Sequence, residues 1–342
     1  MKWQARVTMS VSAFRVLILA AGAYLLGDLR TLILLLLVIA LLKLLLLLGY
    51  VARVHGLGAP WLNREMFLNQ IRGSAPFGIS SALYGLRVQA DQWVAASLFT
   101  LQSFAAFSVA SVLGPLVGLF RQSFNHAFLP SMSRFQAEGN LRGMLALNSR
   151  ANVMVGVMVY PLLAFAFVFA EEIVTLIYTS TYVEAAAVMR VYIIGLAAFV
   201  VEVVSIMLLL KEGAYALRIN VLIFVLSVGL SWLAAHHLGL AGAAAGSVFA
   251  IYCDRFATLS RIAKQTGIPL RQLQDWGTLG LLILFSALAA ALAWIITNHF
   301  VLNSVMLRLL VGSTVLAAAY ALLPIVFGMG RGWLVAACNP QS

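Results

Sequence analysis

The sequence predicts an all-α, polytopic membrane protein with about ten transmembrane helices. Of its 342 residues, 63% are hydrophobic and only 10% are charged, and the mean hydropathy is +1.00. This leaves too little polar surface to cover a water-soluble globule. Because a helix needs about 20 apolar residues to cross a bilayer, the apolar share of the chain suffices for roughly ten crossings.

Ten apolar runs are long enough to cross a membrane, and each predicts one helix. They cover residues 7–26, 32–50, 77–99, 104–124, 153–170, 185–210, 215–235, 240–257, 277–298 and 305–327. The second run is dominated by leucine, which is typical of a helix that faces lipid. At the start of the eighth run, Gly242 and Gly246 have the GxxxG spacing that lets two helix backbones approach closely. We therefore expect a helix-packing face at these glycines.

The basic residues indicate how the chain crosses the membrane. The 22 lysines and arginines give a net charge of +11. With the N-terminus in the cytoplasm, most of them, including Arg121 and Arg255, fall in cytoplasmic segments, whereas only Arg30 and Arg308 fall in outer loops. This bias follows the positive-inside rule and predicts that both termini are cytoplasmic. Topology therefore accounts for the charge, and we expect no nucleic-acid partner.

Motifs that would carry enzymatic chemistry are missing from the sequence. It contains no HExxH motif, no P-loop and no nucleophile elbow. Its two cysteines stand apart from any Cys/His cluster that could hold zinc. The five histidines fall in loops or at the ends of spans. We therefore expect no enzymatic activity, no cofactor and no metal.

Ionisable residues at membrane depth are the candidate functional residues, because each costs about 2.5–3.5 kcal/mol to insert unless it faces a cavity or a partner. Arg87 lies about 15 Å into the third span, near the bilayer midplane. Asp91 follows one helical turn later, so the two side chains can form an i,i+4 pair. Nearby polar residues indicate a helix with a wetted face. A water-filled pathway and a self-satisfied internal salt bridge are the two interpretations of this pair.

Two further charged residues lie in the sixth span. Arg190 is about 8 Å from its outer end, where it either contacts a ligand or extends to the lipid headgroups. Glu202 lies deeper, with no apparent partner in the sequence. It is either a proton acceptor or a neutral structural glutamate.

An ordered set of short segments between residues 69 and 269 resembles a known family. After the helix with Arg87 and Asp91 come FSVA at 107–110, FLPSMSR at 128–134, AEEIV at 170–174, YVEAA at 182–186 and GLAGAA at 239–244. In this order they resemble the polysaccharide or lipid-linked oligosaccharide flippases of the multidrug/oligosaccharidyl-lipid/polysaccharide exporter superfamily. The resemblance implies a MATE-like flippase fold that moves undecaprenyl-pyrophosphate-linked sugars across the inner membrane by alternating access.

The resemblance also implies a division of the chain into lobes. Residues 1–72 match the last two helices of an N-terminal lobe, residues 73–275 match a six-helix C-terminal lobe, and residues 276–342 add two helices and a cytoplasmic tail. About four helices of the family's N-terminal lobe are therefore expected to be missing. They belong to a longer form of the gene or are supplied by a separate polypeptide, or else the chain is an inactive fragment.

Roles for the charged residues follow from the resemblance. Arg87 and Arg190 are expected to bind the pyrophosphate or an anionic sugar, since a guanidinium binds such oxygens in a planar fork. Asp91 and Glu202 are expected to pair with charges or to take up a coupling proton. The implied partners are a lipid-pyrophosphate-linked oligosaccharide, membrane lipids and, as a candidate, the polysaccharide polymerase machinery. The alternatives are a multidrug exporter of the same superfamily and a membrane enzyme, either an acyltransferase or a polysaccharide polymerase.

Overall fold

The computed structural model describes residues 2–26, 28–55, 64–300 and 304–326, and helices account for nearly all of them. In chain order the α-helices are α1 Lys2–Leu26, α2 Leu29–His55, α3 Arg64–Val88, α4 Ala90–Leu98, α5 Leu101–Ala110, α6 Leu113–Ala137, α7 Leu141–Val168, α8 Ala170–Ile177, α9 Ala185–Phe199, α10 Val204–Leu209, α11 Gly213–Thr266, α12 Leu270–Leu273, α13 Trp276–His299 and α14 Val305–Val326. A 3₁₀ turn, Ser180–Tyr182, precedes α9. Within these ranges no strand occurs, so the predicted all-α class is confirmed.

The chain forms two compact units, Met1–Gly73 and Ser74–Ser342. In the first unit, α1 and α2 pack against each other, and Gly22 of α1 approaches Leu35 of α2 so closely that a Cβ would lie 2.9 Å from its Cδ1. Most of the leucines of α2 are exposed, which fits a helix that faces lipid. The assignment of residues 1–72, 73–275 and 276–342 to lobes stays a prediction, and the predicted cytoplasmic tail lies outside the described residues.

Seven helices of the described chain are long and apolar enough to span a membrane, against ten predicted spans. Part of the difference is that one of the seven, α11, contains two of the predicted spans. The first predicted span keeps only the shorter apolar segment Ser10–Gly22. The third is divided between α3 and the nine residues of α4. The described part of every predicted span is therefore helical, and some of the spans contain a break.

Helix α11 folds back on itself at Gly239. This residue has φ 64° and ψ −144°, a conformation that glycine adopts without strain from a Cβ. A Cβ on Gly242 would lie 2.1 Å from the carbonyl oxygen of Ala234, and one on Gly246 would lie 2.2 Å from the backbone nitrogen of Ser231. Contacts in this reversed order make residues 213–238 and 240–266 two antiparallel arms. The predicted packing face at Gly242 and Gly246 is thus confirmed, and it packs against the arm that precedes it.

Helix α7 is the centre of the second unit. It packs against α6, α9 and α13, and about half of its most apolar stretch is buried inside the protein. Asn140 begins the helix by accepting a hydrogen bond from the backbone nitrogen of Gly143, at 2.9 Å. At its other end the ring of Phe169 packs against Gly312 of α14. Helix α7 thus supports the surrounding helices that carry the charged residues.

Candidate functional site

The helix that carries Arg87 and Asp91 is broken between them. Helix α3 ends at Val88 and α4 begins at Ala90, with Gln89 at φ −106° and ψ 2°. The predicted i,i+4 pair of Arg87 with Asp91 is therefore wrong, because the two residues do not share one regular helix. Arg87 instead pairs with Asp254 in the second arm of α11, with Nη2 and Oδ2 3.2 Å apart.

Asp91 is surrounded by hydroxyl groups. Tyr192 of α9 donates a hydrogen bond to Oδ2 at 2.7 Å, and Ser247 of α11 donates to the same oxygen at 2.6 Å. Asp91 is 2% exposed and has no ion-pair partner among the described residues. Short hydrogen bonds from two hydroxyls stabilise a carboxylate without a cation. Asp91 thus links α4, α9 and α11 on the wall of a cavity.

Two cavities follow each other along the second arm of α11. The larger cavity has a volume of about 540 Å³, and its wall includes Arg87, Asp91, Gln92, Tyr192, Ser227 and Ser247. The smaller cavity has a volume of about 260 Å³, and its wall includes Ser80, Asn125, Glu202, Asn220, Asp254 and Arg255. Tyr84 and Arg121 line both cavities, so the two are neighbours. The sequence could not show this arrangement, because the lining residues come from six separate helices and from the breaks between them.

Three guanidinium groups lie where the cavities meet. Arg87 lies over the ring of Tyr84 at 5.0 Å, while Arg121 and Arg255 lie 5.5 Å and 4.9 Å from the ring centre of Phe199. Such stacking favours arginine at desolvated sites. Among the residues that the structure describes, two carboxylates, Asp254 and Glu202, pair with these three arginines. The junction therefore has more positive than negative charge.

Glu202 has a partner that sequence analysis did not find. It lies in the break between α9 and α10, and its Oε2 is 3.1 Å from Nη1 of Arg121 on α6, an ion-pair distance without hydrogen-bond alignment. Its Oε1 accepts hydrogen bonds from the backbone nitrogens of Val204 and Ser205, at 2.8 and 3.2 Å. The description of Glu202 as unpartnered is therefore wrong. It pairs with Arg121 and also caps α10.

Two asparagines of α7 hold the break at Glu202. Asn148 donates a side-chain hydrogen bond to the carbonyl oxygen of Glu202 at 3.1 Å, and Asn152 accepts one from its backbone nitrogen at 3.0 Å. Both asparagines are almost fully buried. Since a helix break leaves backbone groups without partners, these amides satisfy groups that lipid cannot. The break is therefore a defined element of the site.

We expect Glu202→Gln to lower the free energy of unfolding by about 1–3 kcal/mol, since it removes the charge that faces Arg121. Glu202→Ala should cost about 1 kcal/mol more, because it also removes the cap of α10, which a glutamine oxygen can still supply. Unfolding of the purified protein by denaturant in detergent measures both. As the control, Glu138→Gln breaks the exposed Arg134 pair and should cost about 0.3–0.5 kcal/mol. A Glu202→Gln protein as stable as wild type would show that the pair of Glu202 with Arg121 does not stabilise the fold.

Arg190 lies outside both cavities. It pairs with Glu171 of α8 at 3.1 Å and donates to the carbonyl oxygen of Phe167, and both charged side chains are partly exposed. These contacts hold α9 against α8 and against the end of α7. The role of Arg190 as a substrate contact stays a prediction, and the geometry does not favour it.

Three residues of the junction, Arg121, Asp254 and Arg255, were not predicted from the sequence as functional residues. The charge bias of the sequence places the two arginines in cytoplasmic segments. In the structure α6 and α11 continue to Ala137 and Thr266, and both arginines lie well inside these helices. The cytoplasmic placement of these arginines stays a prediction, whereas the structure shows that both line a cavity. Asp254 next to Arg255 near the end of an apolar run was the available signal, since adjacent opposite charges there are uncommon without a functional reason.

The fold and its charged cavities define the class of protein. Helices long enough to span a membrane, with arginines and carboxylates facing an internal cavity, are the architecture of a polytopic membrane transporter. More particularly, the chain belongs to the polysaccharide biosynthesis protein family, whose profile matches residues 1–187, more than half of the 342.

The fold is also similar to a solved structure, described as "Lipid II flippase MurJ, inward closed conformation". The TM-score is 0.62 and the sequence identity is 12%, over 93% of this chain and 67% of that chain. At this identity the likeness shows the fold. No curated protein matches the sequence. The family and the fold together confirm the predicted resemblance to polysaccharide flippases and the MATE-like flippase fold.

Proposed function

We propose that the protein is a flippase that moves lipid-pyrophosphate-linked oligosaccharides between the leaflets of the bacterial inner membrane by alternating access. The observation that carries this proposal is the pair of adjoining cavities, which three arginines line where they meet. A pyrophosphate group is anionic and needs donors that match its oxygens, and guanidinium groups provide them. The family and the flippase fold support the same function.

Arg87 is the proposed contact for the pyrophosphate or an anionic sugar. Its Nη2 is engaged by Asp254, whereas its buried Nη1 has no hydrogen-bond partner within the described part of the chain. This leaves one edge of the guanidinium for a ligand. Asp91, which lines the same larger cavity, is the proposed site of charge pairing or of proton coupling.

Broken helices support a transport mechanism. The break at Gln89 and the break at Glu202 both lie on the cavity walls. In transporters, discontinuous helices of this kind form binding sites near the bilayer midplane, and they permit local movement. We propose that these breaks are where the second unit bends as the cavities change access. The inner-membrane location, the cytoplasmic termini and a polymerase partner belong to this proposal.

The rival functions fit the cavities less well. A multidrug exporter for cationic compounds needs a cavity in which acids predominate, but these walls carry Arg87, Arg121 and Arg255. A membrane acyltransferase needs a catalytic histidine, and no histidine occurs among the residues that line the two cavities. The anion-lipid flippase is therefore the function that the site supports best.

Complementation of a flippase-deficient strain, scored by surface polysaccharide, tests the function. The chain is expressed alone and, in parallel, extended by any upstream reading frame; rescue by either supports the flippase. In the form that rescues, Arg87→Ala and Asp91→Asn should each reduce export about tenfold or more, since each removes a charge-assisted contact. As the control, Lys264→Ala, which removes an exposed positive charge outside both cavities, should export normally. No rescue by either form, or normal export by both cavity variants, would overturn the proposal.

A further inference from the structure

Arg255 is a buried arginine whose guanidinium has no hydrogen-bond partner in the described part of the chain. Its exposed fraction is 5%, and its Nε, Nη1 and Nη2 atoms find no acceptor in the ranges that the structure describes. One face of the guanidinium lies on the ring of Phe199, at 4.9 Å from its centre. The other two guanidiniums of the junction differ, since Arg87 pairs with Asp254 and Arg121 with Glu202. Arg255 is thus the third cation next to two pairs that already use both carboxylates.

A buried guanidinium without acceptors is costly to the folded protein. Desolvation of a charge strongly opposes its burial, and donors without acceptors add to this cost. Stacking of the guanidinium on Phe199 offsets only a part of this free-energy cost. A residue in such a position is commonly retained for a function rather than for stability. Arg255 therefore indicates an anionic ligand, and the smaller cavity that it lines is the place for one.

The smaller cavity has the donors that an oxyanion needs. Asn220 donates to the hydroxyl oxygen of Ser80 at 2.8 Å, which leaves the Ser80 O–H to donate further. Ser205 donates to the side-chain oxygen of Asn125, also at 2.8 Å, so the amide N–H groups of Asn125 are still available as donors. All four residues line this cavity together with Arg255. Its volume of about 260 Å³ is about half that of the larger cavity.

We propose that the smaller cavity is a binding site for a phosphoryl group, which Arg255 binds with its free N–H groups. A phosphoryl group presents several oxygens at once, and these match the planar fork of a guanidinium and the neighbouring hydroxyl and amide donors. The two cavities then hold different parts of the ligand. The phosphoryl end of a ligand occupies the smaller one, and the larger one, on the Gly239 side, holds the remainder. Arg87, which lines the larger cavity, then contacts an anionic sugar and not the pyrophosphate. The identity of this phosphoryl group as part of a lipid-linked sugar rests on the proposed function, whereas anion binding at Arg255 does not.

Calorimetry with the full chain in phosphatidylcholine nanodiscs tests the site, with inorganic pyrophosphate as the probe. Arg255→Gln should weaken pyrophosphate binding about tenfold or more, the loss expected for charge-assisted hydrogen bonds. Lys264→Gln is the matched control, because it removes one positive charge from the exposed last turn of the same helix. Its affinity should equal that of wild type. No binding by wild type, or equal binding by the Arg255→Gln protein, would overturn the proposal.

A second measurement separates a binding role from a structural one. Without pyrophosphate, Arg255→Met should raise the melting temperature, since it replaces an unpaired buried charge by an apolar side chain of similar length. Wild type should gain melting temperature when pyrophosphate is added, and Arg255→Met should gain none. If Arg255→Met lowers the melting temperature in the absence of pyrophosphate, Arg255 is a structural residue and the site is wrong.

An isoprenoid pyrophosphate added to the same nanodiscs separates the sources of the phosphoryl group. If it binds more tightly than inorganic pyrophosphate and depends on Arg255, the ligand is lipid-linked. If inorganic pyrophosphate alone binds, the site stands and the flippase proposal fails. If the isoprenoid compound binds equally well to the Arg255→Gln protein, the flippase proposal stands and the site is wrong.

Discussion

Asp254→Leu should lower the free energy of unfolding by about 3–5 kcal/mol, because it leaves the buried Arg87 without its counter-ion. The side chains of this pair are 4% and 10% exposed, so water cannot replace the lost carboxylate. Arg255, the next residue, adds a second unpaired cation to the same space. Unfolding of the purified protein in mixed detergent measures the loss. The double variant Arg87→Met and Asp254→Leu should recover most of it, since replacing a buried pair by apolar residues is often nearly neutral.

The exposed pair of Arg190 with Glu171 is the matched control for this prediction. Its side chains are 32% and 55% exposed, so Glu171→Gln should cost no more than about 1 kcal/mol. Equal losses from Asp254→Leu and Glu171→Gln would show that the Arg87 pair is solvated. A double variant less stable than the Asp254→Leu single variant would show that Arg87 does more than balance Asp254.

Gly246→Ala should destabilise the protein by about 4 kcal/mol or more, which is the range of exceptional substitutions. The added Cβ would lie 2.2 Å from the backbone nitrogen of Ser231 and 2.5 Å from the carbonyl carbon of Leu230. Since these are backbone atoms, no side-chain rotation relieves the clash, and the two arms of α11 must separate. The yield of folded protein in detergent and its unfolding midpoint measure the effect.

Gly229→Ala provides the control on the same helix. A Cβ there meets nothing within 4 Å, so the stability should change by no more than about 1 kcal/mol. Adding Ser231→Gly to Gly246→Ala should not restore stability, since the clash is with the backbone of residue 231. A Gly246→Ala protein as stable as wild type would mean that the arms of α11 do not pack at this glycine.

Much of the helical fold was predictable from the sequence. Ten apolar runs identified helical segments, because a bilayer requires long apolar stretches whose backbone hydrogen bonds are satisfied internally. The GxxxG pair also marked the close contact within α11, since only small residues permit such an approach. The break at Gln89 was not predictable, because neither proline nor glycine occurs there. The break at Glu202 was not predictable either, because the residues that stabilise it, Asn148 and Asn152, lie about 50 residues away in the chain.

Some residues of the site were also predictable from the sequence, whereas their partners were not. Depth and charge alone identified Arg87, Asp91 and Glu202, which do lie on the cavity walls. Their partners were wrong or missing, since Arg87 meets Asp254 across 167 residues of chain. Composition and local periodicity determined that this is a helical membrane protein with buried charges. Tertiary packing decided which charges pair and left Arg255 without a carboxylate partner among the described residues. Pairing depends on which helix faces meet, and apolar patterns do not encode that choice.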